Sequence, residues 1–268
     1  MKALTVALYG SVSLGLASLA AAQSQSGQPA EFVQVITFTV RPSAVSEYEA
    51  YIKRIVAGAN KTSAAPHWLA YQVGAGGPGF TYTVGLSFSK WAEVDEWSSV
   101  AQILSKAYGE AEGAKVLQSG RNTIERSETA VYRLLPDLST RPQVSDAPAA
   151  HLQLFVTDVE PAMVPTWEGY LARLKAAQEK TPQAPTSIRR VVALGASNRY
   201  VTAVPFNKYA ERDGWPSALD VLREAYGEAE ARALNETRLR CTREARIVVL
   251  AYRPDLSRPA SGAMPASR

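Results

Sequence analysis

The sequence predicts an α+β chain built from two tandem βαββαβ repeats whose sheets pack against each other as a closed, pseudo-dimeric barrel. Three observations lead there. The segment Phe88–Glu112 (FSKWAEVDEWSSVAQILSKAYGEAE) returns as Phe206–Glu230 (FNKYAERDGWPSALDVLREAYGEAE), identical at 14 of 25 positions with an offset of 118. The phrase PDLS recurs at the same offset, as Pro136–Ser139 and Pro254–Ser257, and upstream matches such as Pro42 with Pro161 run at an offset of 119. Each copy also passes from period-2 to helical patterning in one order, and repeats of this length are each the size of a domain.

The elements follow in sequence. Phe32–Val40 and His151–Val159 are short, β-rich and apolar on both faces, hence strands. Pro42 and Pro161 then open helices, since proline tolerates the first helical position. Val45, Tyr48, Ile52 and Ile55 form one helical stripe, repeated as Val164, Trp167, Leu171 and Leu174. Hairpins come next, Trp68–Gly74 with Phe80–Phe88 and Ser187–Leu194 with Arg199–Phe206; the one-residue change of offset falls in the turn GAGGPG at Gly74–Gly79. A second helical region starts near Trp97 and Trp215, and each repeat closes on a strand, Thr129–Leu135 or Ile247–Arg253.

The repeated KAYGEAEG/EAYGEAEA phrase reads as punctuation. Gly109 and Gly227 allow the positive φ that ends a helix, and Glu110, Glu112, Glu228 and Glu230 then favour the positive end of the next one. PDLS reads as the turn after each last strand.

Repeat 1 is expected over residues 31–139 and repeat 2 over 151–257, joined by a Pro-rich linker at 140–150 and followed by a disordered tail at 258–268. Residues 1–22 read as a secretory signal peptide: Lys2, an apolar run, then Ala20-Ala21-Ala22, with cleavage after Ala22. The expected location is periplasmic or secreted, with no membrane anchor in the mature chain. The net charge of +4 is interspersed, which excludes a concentrated nucleic-acid surface. One cysteine, Cys241, forbids an intrachain disulfide, and with two histidines, His67 and His151, the chain lacks metal and haem motifs. No cofactor and no metal site are expected.

The order βαββαβ is that of a ferredoxin-like unit, whose sheet carries helices on one face only and needs cover on the other. With two such units fused, the chain resembles the dimeric α/β-barrel superfamily over nearly its whole mature length. More narrowly it is similar to uncharacterised exported bacterial proteins carrying the Tyr-Gly-Glu and Pro-Asp-Leu-Ser phrases, and distantly to NIPSNAP-type domains. The resemblance implies a barrel interior as the place for a ligand, and either a monomeric pseudo-dimer or a homo-oligomer.

Strand alternation then selects candidates. Val33, Val35 and Thr37, with their twins Leu152, Leu154 and Val156, form the more apolar face and are expected against the helices. Gln34 and Gln153, flanked by aromatics, are expected to aim between the sheets, with Tyr82 and Tyr200 supplying contact area. Asymmetric residues add His67, Trp68 and Tyr71, which become Thr186, Ser187 and Arg190 in the second half, and His151 at the rim. Three functions compete: binding of a small apolar or aromatic molecule in or at the rim of the barrel; a cofactor-free oxygenase or isomerase with His67 as base; and a haem protein of chlorite-dismutase-like architecture.

Overall fold

The computed structural model describes residues 29–142 and 147–260. Residues 1–28, which include the expected signal peptide, the linker centre at 143–146 and the tail from 261 onward lie outside the described residues.

Each half contributes four strands: β1 (Phe32–Val40), β2 (Leu69–Ala75), β3 (Thr81–Phe88) and β4 (Ile124–Leu134), then β5 (His151–Val159), β6 (Ile188–Leu194), β7 (Arg199–Phe206) and β8 (Thr242–Tyr252). They close a single antiparallel barrel in the order β1-β3-β2-β8-β5-β7-β6-β4. The halves join where β2 meets β8 and β4 meets β6, so both edges of each four-stranded sheet are covered by the other. Helices lie outside: α1 (Val45–Ala59), α2 (Ala92–Asp95), α3 (Val100–Tyr108) and α4 (Glu110–Arg121) in the first half, α5 (Val164–Lys180), α6 (Ala218–Tyr226) and α7 (Glu228–Cys241) in the second. The fold class is as the duplication predicts.

Two boundaries differ from expectation. β4 and β8 begin five residues earlier than expected, at Ile124 rather than Thr129 and at Thr242 rather than Ile247, because the ladder to β1 and β5 continues through residues that alternate with solvent, as far as Val40 opposite Ile124 and Val159 opposite Thr242. The first residues of the linker and tail are also ordered: Thr140 bridges Ser187, and Arg258 bridges Trp68.

The repeated phrase is punctuation that also clasps. Gly109 and Gly227 sit at φ +84 and +82, each ending one helix and starting the next. Beside them Tyr108 donates to the Arg54 carbonyl (2.9 Å) and Tyr226 to that of Arg173 (3.0 Å), while Glu112 pairs with Arg54 and Glu230 with Arg173. PDLS crosses between halves. Ser257 Oγ accepts the Ala70 amide on β2 at 2.8 Å, and Ser139 Oγ accepts the Arg189 amide on β6 at 2.9 Å. Each half's closing turn thus braces a strand of the other.

The barrel interior is packed with Val33, Val35, Leu69, Tyr71 and Tyr132 from one half and Leu152, Leu154, Val156, Val201, Val248 and Leu250 from the other. This inverts the expected face assignment. A barrel of eight strands has an interior just wide enough for side chains to fill, so the most uniformly branched, apolar alternation goes inward. The helix-facing layer receives the mixed set instead, with Ile36, Phe38, Tyr48 and Tyr82 in the first half.

Candidate functional site

Gln34 and Gln153 consequently do not meet between the sheets. Gln34 pairs across β3 with Leu86, a member of the helix-facing core, and Gln153 lies under α5. Tyr82 and Tyr200 also point to the helices, donating to Glu49 on α1 (2.7 Å) and Glu168 on α5 (2.8 Å). Tyr71 does enter the barrel, where it packs against Tyr252 with centroids 5.4 Å apart. Trp68 is buried beneath α1 and donates its Nε1 to the Leu256 carbonyl at 2.8 Å. His151 is on the helix-facing side of β5, stacked on Phe206 at 4.9 Å and edge-on to Tyr209 at 4.8 Å. The expected residues therefore do not form one site.

His67 and Trp68 border a cavity of about 440 Å³ in the first half, together with Phe88, Glu93, Glu96 and Trp97. His67 Nδ1 lies 3.3 Å from the Arg258 guanidinium. Burial and the Arg258 charge lower its pKa, so the imidazole is neutral near pH 7.

A larger space, about 500 Å³, occupies the second half between the outer face of the sheet and the helices. That volume is of the size that takes a small organic ligand. Its floor is Gln153, Phe155 and Thr157 of β5, Arg189 of β6 and Thr202 and Val204 of β7; its roof is Trp167, Tyr170, Leu171, Leu174 and Gln178 of α5, with Trp215 and Val221 closing one side and Arg238 of α7 another.

Why the second half is hollow follows from its twin. Trp68, which fills this layer in the first half, is replaced by Ser187; Phe38 becomes Thr157, Leu86 becomes Val204 and Ile103 becomes Val221. Each change removes carbon from the same layer. Meanwhile Ala59 becomes Gln178 and Ala70 becomes Arg189. Arg189, 2% exposed, donates to the Leu138 carbonyl and to Gln178 Oε1 (2.6 Å). The Leu138 carbonyl is the counterpart of the Leu256 carbonyl that Trp68 holds, so a guanidinium takes the acceptor that an indole takes in the first half. Burial pushes the Arg189 pKa down to about 10, which leaves it cationic at neutral pH.

Several buried polar atoms of this lining have no hydrogen-bond partner among the described residues: Gln153 Oε1, Trp167 Nε1, Ser187 Oγ, Arg189 Nε and Arg212 Nε. Buried polar groups are ordinarily satisfied, since leaving one unpaired costs about 1–3 kcal/mol. Five such atoms surround one apolar-walled space.

The donor set of this second-half cavity does not match the His, Cys or Met ligation of haem iron. The lining holds no His, Cys or Met that could take an axial position on iron, and His151 is committed to Phe206 and Tyr209 outside it. Among the described residues no cluster of His, Cys, Asp and Glu has the makings of a metal site, and no helix is long and apolar enough to cross a membrane. Apart from Gln153, sequence reasoning missed this lining. The signal was available in a position-by-position comparison of the repeats, where apolar residues of one become small or polar in the other.

No protein-family model matches the chain, and no curated protein sequence does. Among solved structures, an anthrone oxidase-like protein aligns over 89% of this chain and 97% of its own, with TM-score 0.50 at 11% identity. A candidate monooxygenase from Fusobacterium nucleatum subsp. nucleatum aligns over 89% and 99%, with TM-score 0.51 at 11% identity. Chlorite dismutase from Candidatus Nitrospira defluvii covers 87% of this chain with 93% of its own, at TM-score 0.49 and 9% identity. At such identities the likeness is one of fold, the dimeric α/β barrel.

Proposed function

We propose that this is an exported protein that binds a small, largely apolar molecule in the second-half cavity between the sheet and α5. The observation that supports it is the coincidence of Trp167, Leu171, Leu174 and Val221 as walls with the unpartnered buried polar atoms of Gln153, Trp167, Ser187, Arg189 and Arg212. Apolar walls supply affinity and a few placed polar groups supply orientation. In the first half Trp68 occupies the place that Ser187 leaves open, so the reading assigns this ligand to the second repeat. Native mass spectrometry of the full chain purified from the compartment to which it is exported tests this. A bound organic species is expected, and its loss on Ser187→Trp would locate it. A parent protein that carries nothing and binds no apolar probe would overturn the reading.

A second reading, a cofactor-free oxygenase or isomerase, draws on His67, a neutral imidazole beside a cavity in the other half. Turnover of the co-purified molecule by the parent but not by His67→Gln would support it.

A further inference from the structure

The helix-to-sheet layer of the second half carries positive charge at four positions where the first half carries none. Ala70 becomes Arg189, Val94 becomes Arg212, Gly120 becomes Arg238 and Glu128 becomes Arg246. All four line the cavity of about 500 Å³, whose lining contains neither Asp nor Glu. The chain as a whole has nearly balanced charge, with 29 Lys and Arg against 25 Asp and Glu, so four arginines without an Asp or Glu in one lining stand apart from its surface.

Arg246 has Glu244 at 3.6 Å, but Arg189, Arg212 and Arg238 pair with no carboxylate among the described residues. Their hydrogen bonds go to neutral groups. Arg189 reaches the Leu138 carbonyl and Gln178, Arg238 Nε reaches Asn235 Oδ1 at 3.1 Å, and Arg212 lies 5.9 Å from the Phe206 ring centroid. A cation held in a partly desolvated site without a counterion is unfavourable, and an anion entering the site removes that cost. Guanidinium groups also match carboxylate geometry better than an ammonium would.

Resting on the ligand-binding reading above, we infer that the ligand is an amphipathic anion: an apolar, aromatic-sized body lying between β5 and α5, with one carboxylate or similar oxyanion met by Arg212, Arg238 and Arg189. The body packs on Trp167, Leu171 and Val221, and the anionic end faces the arginines.

The test uses two fluorescent probes that share one ring skeleton, 8-anilinonaphthalene-1-sulfonate and its uncharged counterpart N-phenyl-1-naphthylamine, titrated against the full chain. The anion should bind at least tenfold more tightly than the neutral probe, and raising the salt should weaken only the anion. The double variant Arg212→Val, Arg238→Met, which puts the first half's residue at 212 and a helix former at 238, should lose at least tenfold for the sulfonate and stay within twofold for the neutral probe. Arg232→Met, on the exposed face of α7, should change neither. Equal binding of both probes, or a double variant that binds the sulfonate as the parent does, overturns the anion inference while leaving the cavity reading in place. Failure of both probes to bind the parent overturns the cavity reading itself. Circular dichroism melts of each variant separate loss of binding from loss of fold.

Discussion

Rebuilding the first half's packing inside the second gives a quantitative check on the cavity. In the double variant Ser187→Trp, Arg189→Ala, an indole occupies the position of Trp68 and inherits its acceptor, because the Leu138 carbonyl is released when the guanidinium is removed. Burying roughly 200 Å² of Trp at about 25 cal/mol per Å² contributes about 5 kcal/mol, reduced to about 3 kcal/mol for a compact denatured chain. Ordering the side chain costs about 1 kcal/mol. Losing the Arg189 bonds to Gln178 and Thr140 costs about 1 kcal/mol more, after the relief of removing an uncompensated buried charge. The sum is a stabilisation of about 1 kcal/mol, or a rise of about 2–4 °C in the thermal midpoint of a chain this size. Urea melts and titration with the anionic probe measure both effects together. The variant should be slightly more stable than the parent and should have lost the probe. Retained probe binding, or a destabilisation beyond about 2 kcal/mol, would refute the claim that the two layers are interchangeable and that Ser187 opens the second.

Other outcomes follow from neighbouring features. Arg253 donates to Glu49 at 2.6 Å and to Asp255 at 2.9 Å, lowering both carboxyl pKa values, that of Asp255 to about 2. Both carboxylates bind fewer protons folded than unfolded, so their stabilisation is complete above the ordinary carboxyl range near pH 4 and fades as the pH falls toward about 2; Arg253→Leu, the residue of the twin position Leu135, should flatten the acid limb of a stability-against-pH curve. Gly120→Ala should cost about 1–3 kcal/mol in urea melts, since an added Cβ would stand 2.3 Å from the Tyr51 ring. Tyr108→Phe and Tyr226→Phe should each cost about 1 kcal/mol and, lying in separate halves, should add. Intact mass of the exported protein should place the mature N-terminus at Gln23, and a retained leader would count against export.

The architecture was legible because duplication doubles every signal: a helix stripe seen at Tyr48, Ile52 and Ile55 and again at Trp167, Leu171 and Leu174 is hard to mistake. The candidate site was legible only in fragments. Gln153 was singled out, but for the wrong face, because alternation divides a strand into two sides without saying which side closes the barrel and which meets helices. Both sides of β1 and β5 are apolar, and only the curvature that closes eight strands decides between them. Arg189, Arg212 and Arg238 belong to three different elements, and nothing local in their sequence marks them as neighbours. Their convergence is a property of the layer, visible once each is set against Ala70, Val94 and Gly120.

The reciprocal bracing by Ser139 and Ser257 carries a further consequence. An arrangement in which each half's end supports the other's strand is that of a symmetric pair of identical subunits, joined here into one polypeptide. In such a pair any substitution appears twice. Replacing the large indole at the position of Trp68 by a small side chain would open two voids, each losing about 3–5 kcal/mol of packing, and the pair would lose roughly 6–10 kcal/mol, comparable to the whole stability of a typical domain. Joined in tandem, the copies vary separately. One repeat keeps its tryptophan and holds the barrel shut, and the other tolerates a hollow, charged layer that neither could carry as an identical partner.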